Sequence, residues 1–290
     1  MKHAYLILVH NEFEILECLL KCLDCRENDL FIHYDKKVEK LPEIHLQYSN
    51  LYVLDRRIDG CWGDWSLVEI ELNLLKSAML KEHYDFFHII SGVHYPLLSN
   101  NELHRIYEAE NKCFFQPMFA NEDEVNIRMR RYNLFSRLMM SYSFDSFGYR
   151  LGRLLWNLTL KFQKIINLKR NINFNFYKSS QWCTLTREAA YYIVNKEKEI
   201  KKRYSYTFCP DEYFALSELM NSPLRDKLVF KENLLKQEWE STHPKIYLFE
   251  DYYELISSGC LYARKFSSRS LSLLDRINDY ISHGVSDKEI

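Results

Sequence analysis

The chain has 290 residues, 47% hydrophobic and 27% charged, with a formal net charge of −1. That composition supplies one large core or two modest ones, and it excludes a disordered chain or a small scaffold held together by disulfides. The balance hides an asymmetry: residues 126–178 hold eleven Lys and Arg against a single acid, Asp145, so the rest of the chain is correspondingly acidic.

Ala4 to His10 reads as a buried strand, too quickly followed by Glu12 and Glu14 to be a signal peptide. Glu12 to Asp24 carries Leu16, Leu19, Leu20 and Leu23 at helical spacing. Cys18, Cys22 and Cys25 cluster in this helix and at its end without a second Cys or His pair to complete a zinc site, so all eight cysteines are expected as free thiols. Leu30 to Tyr34 and Leu51 to Leu54 are the next strands, Ser66 to Lys81 is a long helix, and Phe86 to Ser91 is a fourth strand. Strands alternating with helices predict an α/β fold with a Rossmann-like, mostly parallel sheet flanked by helices, whose ligands sit beyond the carboxyl ends of the strands. His10, Asp35 and the pair Ser91–Gly92 stand at those ends, where solvated loops are also common. Neither a Gly-x-Gly-x-x-Gly nor a Gly-x-x-x-x-Gly-Lys motif is present, so a nucleotide has to be held in another way.

Arg150 to Arg170 then predicts an amphipathic helix, with Leu151, Leu155, Leu158, Phe162 and Ile165 on one face and Arg150, Lys161 and Lys164 on another. Such a helix suits either the core or an anionic membrane surface. Nucleic acid is not expected, because the remainder is acidic and no nucleic-acid motif accompanies the basic run. No apolar run approaches the roughly 20 residues that cross a bilayer, so a cytoplasmic protein is expected, peripheral on the inner face of the membrane if the basic stretch binds there.

Six segments occur in order: Phe31–Lys37, Cys61–Gly63, Ser91–Leu97, Ser179–Thr186, Cys209–Phe214 and Leu261–Phe266. With them the chain resembles the core-2/I-branching β-1,6-N-acetylglucosaminyltransferase family, which also includes peptide O-xylosyltransferases. The resemblance runs from about Ala4 to Phe266. It implies one GT-A-type catalytic domain over 1–266, with 126–178 as a basic insertion and 267–290 as a helical tail. It also implies inverting transfer from a UDP-sugar without divalent metal, to a saccharide acceptor that could be lipid-linked.

Glu212 matches the family base, and inversion needs a carboxylate to take the acceptor proton. The adjacent Asp211 is expected to open the helix and orient the loop. Lys265 matches the lysine that pairs with the diphosphate, with Arg264 reinforcing it, and this cation replaces the metal of Asp-x-Asp enzymes, a motif lacking here. Relatives carry a second ligand, an arginine, where this chain has Thr242, and Lys245 is the expected substitute. Asp35 keeps the residue that recognises the base. His94 stands where relatives place aspartate, and either alters sugar choice or fills space. Trp182 is either a core residue or a ring that stacks on a sugar, and Trp239 is expected near the donor or acceptor sugar. The expected reaction is N-acetylglucosamine transfer in surface polysaccharide synthesis; xylosyl or other hexosyl transfer and non-catalytic saccharide binding are the alternatives.

Overall fold

The computed structural model describes residues 1–241 and 243–283. The strands in chain order are β1 (His3–Val9), β2 (Asn28–Tyr34), β3 (Leu51–Val53), β4 (Phe86–Ser91), β5 (His94–Pro96), β6 (Cys113–Phe115), β7 (Cys183–Thr186), β8 (Leu228–Phe230), β9 (Leu235–Lys236), β10 (Trp239–Glu240), β11 (His243–Pro244) and β12 (Tyr262–Arg264). The helices are α1 (Phe13–Leu23), α2 (Ser66–Met79), α3 (Asn100–Glu110), α4 (Glu122–Arg128), α5 (Ser136–Met140), α6 (Phe147–Ile165), α7 (Arg187–Asn195), α8 (Glu197–Tyr204), α9 (Phe214–Met220), α10 (Tyr252–Ser257) and α11 (Leu271–His283).

The central sheet has the order β3-β2-β1-β4-β7-β6-β8. It is parallel except for β7, which runs against both β4 and β6. Every residue of β1, β2 and β4 is buried, as expected of strands covered by helices on both faces. Side-chain alternation along β1 assigns Ala4, Leu6 and Leu8 to one core, with α2, α7 and α9. Tyr5, Ile7 and Val9 face the other core, with α1, α3 and α11. The predicted strands and helices of the first third are found with no end shifted by more than two residues. The short strands β6 and β8 went unpredicted, because three apolar residues carry no periodicity to read.

Arg264 ends β12, which lies in a second, three-stranded sheet of order β5-β12-β9 and pairs with His94 across β5. The segment after Phe266 is more than a tail, since Leu273, Leu274 and Ile277 of α11 are fully buried. Residues 284–290 of that predicted tail, and Thr242, lie outside the described residues.

The predicted basic amphipathic helix is α6, and α5 packs against it so closely that a Cβ on Gly152 would come within 2.6 Å of the Met139 Cα. Among the described residues no helix is long and apolar enough to cross a membrane.

Candidate active site

A cleft opens at the carboxyl ends of β1, β2 and β4. His10, Asp35, Ser91, Trp182, Arg264 and Lys265 line it, together with His33, Lys37, Trp62 and Gln181. Strand direction explains the first three: each is the last residue of a parallel strand or lies just past it.

Asp35 is pinned. Its carboxylate accepts the Lys37 and Gly60 backbone N–H groups, both at 2.9 Å, and the Lys37 ammonium lies 3.2 Å away. A Cβ on Gly60 would fall 2.8 Å from Asp35 Oδ2, so only glycine lets the backbone approach this closely. His33 accepts the Ile58 N–H at Nε2, and burial lowers its imidazole to about 4, so it is neutral.

Arg264 and Lys265 form the electropositive wall. Arg264 lies 5.4 Å over the Trp182 ring and donates to Gln237 Oε1 at 3.1 Å; its buried Nε has no partner among the described residues, and burial brings the guanidinium down to about 10. Burial and then repulsion by Arg264 lower the Lys265 ammonium, an effect that Glu12 partly offsets. Among the described residues neither cation forms a salt bridge with a carboxylate. Two adjacent, partly desolvated cations that no described carboxylate bridges can take up an anion, because an incoming negative group would relieve their mutual repulsion. Partial desolvation and Lys265 also hold the His10 imidazole below its ordinary value.

Trp182 packs against the two cores and presents its ring to the cleft. His94 lies behind it, buried, with ring centroids 4.8 Å apart. His94 Nδ1 accepts the Ser91 N–H and faces the Ser91 hydroxyl at 2.7 Å, so the ring is neutral, and burial keeps it so.

Three expected ligands are not brought to the cleft. The Gly92 N–H is spent on the Leu8 carbonyl, and the residue packs against Val9 and Leu16. Lys245 is held by Asp251 at 2.9 Å, with Glu238 and Glu254 each at 3.5 Å, so its charge is already neutralised. Trp239 is 57% exposed on β10, and its strand partner Pro244, instead of the indole, reaches the cleft.

Glu212 also stands outside this cavity. It ends a 3₁₀ turn, Pro210–Glu212, entered through Cys209 in the left-handed region (φ 50°). The turn is latched to the cleft loop by the Cys209 N–H on the Gly63 carbonyl. Gly63 itself has φ +83° and no room for a Cβ, which would lie 2.7 Å from the Phe208 ring. Arg128 donates to Glu212 Oε2 at 2.8 Å and Lys178 lies 3.5 Å away, while both cations also bind Glu124. Between this four-charge cluster and the cleft stand Phe208, under Arg128, and Trp62, whose ring centroid is 5.9 Å from that of Phe208.

Asp211 does not cap the helix. Its side chain is buried, Oδ1 lacks a partner, and burial followed by repulsion from Glu212 raises the carboxyl to about 8. Glu71 of α2 was not singled out in the sequence. It is buried, kept well above its ordinary carboxyl value by desolvation, and accepts from Gln181 at 2.7 Å, which holds that amide on the cleft wall. A carboxylate between Ile70 and Leu72 on a buried helix was the available signal.

A mostly parallel α/β sheet flanked by helices, with an indole-walled cationic cleft at its strand ends, defines the class: the GT-A-like α/β fold of the family whose model matches this chain. Residues 3–256 match the Core-2/I-Branching enzyme family, and the chain belongs to it. It is 26% identical over 313 residues to xylosyltransferase 2 of Rattus norvegicus, covering 97% of this chain and 34% of that protein. It is 26% identical over 246 residues to a xylosyltransferase of Ciona intestinalis, covering 81% and 27%. It thus spans about a third of the length of these relatives. Mannose-6-phosphate isomerase from Helicobacter pylori aligns at a TM-score of 0.29 and 11% identity, covering 70% of this chain and 75% of that one, too weak a likeness to bear on fold or function.

Proposed function

We propose that the chain transfers a sugar from a uridine diphosphate donor to a saccharide hydroxyl, with inversion and without divalent metal. The observation that carries the proposal is the Arg264–Lys265 pair, two cleft cations that no carboxylate neutralises among the described residues. In this reading the pair takes up the charge that develops on the leaving diphosphate, the task a metal ion performs elsewhere. Asp35, already fixed by two backbone N–H groups, holds the nucleobase end. Ser91 and Trp182 border the sugar, and His94 acts through both by setting their positions. Glu212 is the base, its carboxylate oriented by Arg128 and Lys178; the acceptor hydroxyl meets it at the rim, past Trp62. The xylosyltransferase relatives support xylose beside N-acetylglucosamine as the transferred sugar, and a surface polysaccharide built on a lipid carrier is the acceptor class proposed.

The test is UDP release from a panel of UDP-sugars in EDTA, with product anomers read by NMR. Turnover of one donor in EDTA, forming the inverted anomer, is the expected result. Loss of that turnover and its restoration by manganese would remove the metal-free mechanism. Glu212→Gln is expected to lower kcat by roughly 10²–10⁴ with the donor KM unchanged. Undiminished turnover in that variant would take the base away from Glu212.

A further inference from the structure

Helix α6 is packed inside out. Gly152, Trp156 and Gln163 face the protein: Gly152 lies against Met139, Trp156 donates to Asn133, and Gln163 brackets the Tyr132 backbone by bonding its N–H and its carbonyl. The opposite side carries Phe147, Leu151, Leu154, Leu158, Phe162 and Ile165, spaced as one stripe and all in water, with Phe147 79% and Ile165 81% exposed. A helix that uses its small and polar residues for internal contact and leaves its apolar stripe outside is built for an external partner.

The charges beside the stripe say which. Arg150, Arg153, Lys161 and Lys164 are exposed along one edge, the helix contains no acid, and among the described residues none of the four pairs with a carboxylate. Other cations of the basic segment are already engaged: Arg128 and Lys178 by Glu124 and Glu212, Arg137 by Asp59 and Asp64, and Arg170 by backbone carbonyls. A polyanion would satisfy the four cations and leave the stripe wet. A second copy of the chain would cover the stripe and leave the cations unmatched. A bilayer surface with anionic headgroups does both.

We propose that α6 lies in the plane of an anionic membrane, its apolar stripe in the acyl boundary and its cationic edge among the headgroups. Its inner face reaches the cleft wall through rings, Trp156 to Phe208 at 5.4 Å and Phe208 to Trp62 at 5.9 Å. The docked helix is thereby packed through rings onto the cleft wall. The inference does not rest on the catalytic reading, and its failure would leave that reading intact.

The test is flotation of the full chain with vesicles of phosphatidylcholine alone and of phosphatidylcholine mixed with phosphatidylglycerol. The wild type is expected to float with the mixed vesicles at low salt and far less with the neutral ones. Leu154→Glu with Phe162→Glu abolishes flotation while the thermal midpoint and the mass in solution stay unchanged, since both residues point to solvent. Lys161→Gln with Lys164→Gln weakens partitioning by roughly tenfold or more. Absence of wild-type flotation overturns the proposal, as does unchanged flotation of the Glu variant. So does a wild-type dimer that the Glu variant dissociates, because a second copy would then be the partner.

Discussion

Lys245 and Lys265 sit on opposite sides of one short loop-and-helix excursion, and their surroundings differ in kind. Lys245 meets three carboxylates, which raise its ammonium above the ordinary value, Asp251 contributing most. Lys265 meets an arginine and partial burial, and is lowered instead. A lysine whose charge is already balanced inside the protein adds little to an anion site. One held beside a like charge waits for a ligand. Availability of charge, more than its presence, separates the two.

The sharpest way to break this comparison is Lys265→Ala. Removing that cation is expected to lower kcat/KM for the UDP-sugar by roughly 10²–10³ in steady-state UDP release. A smaller effect is expected from Arg128→Gln, roughly tenfold in kcat with the donor KM held, because the Glu212 carboxylate loses its nearest guide while the cleft cations remain. Lys245→Ala is the control: kcat/KM should stay within about threefold and the thermal midpoint should fall by only about 2 °C, as for a partly exposed ion-pair cluster. A hundredfold activity loss in that variant would erase the distinction between the two lysines.

The smallest effect concerns stability. Asp211 has a folded value of about 8 against an ordinary 3.8. Between these pH values the unfolded chain has released a proton that the folded chain retains, so this group costs stability as pH rises from about 4 to about 8. Asp211→Asn is therefore expected to raise the thermal midpoint by roughly a few degrees, more at pH 8 than at pH 5. An equal gain at both pH values would mean that Asp211 titrates normally.

Much of the cleft was legible because parallel strands place polar residues at their carboxyl ends: His10, Asp35 and Ser91 all reach it. Gly92, one residue further, does not, since its N–H completes the sheet. The cationic character of 126–178 was also legible. Which cations are free was not, since Arg128 reaches Glu212 across 84 positions and Arg137 reaches Asp59 across 78. The helical period of α6 could be read from the sequence, yet the same stripe suits a core or a surface, and only packing shows that it faces out.

The sequence by itself determined the α/β alternation, the family and part of the cleft lining, His10, Asp35, Ser91, Trp182, Arg264 and Lys265, because periodicity and short motifs are local properties. Tertiary structure decided which charges are neutralised, which carboxyls are desolvated, and where Glu212 stands relative to Lys265. Coulomb and desolvation energies depend on distance and burial in three dimensions, and the separation of residues along the chain constrains neither.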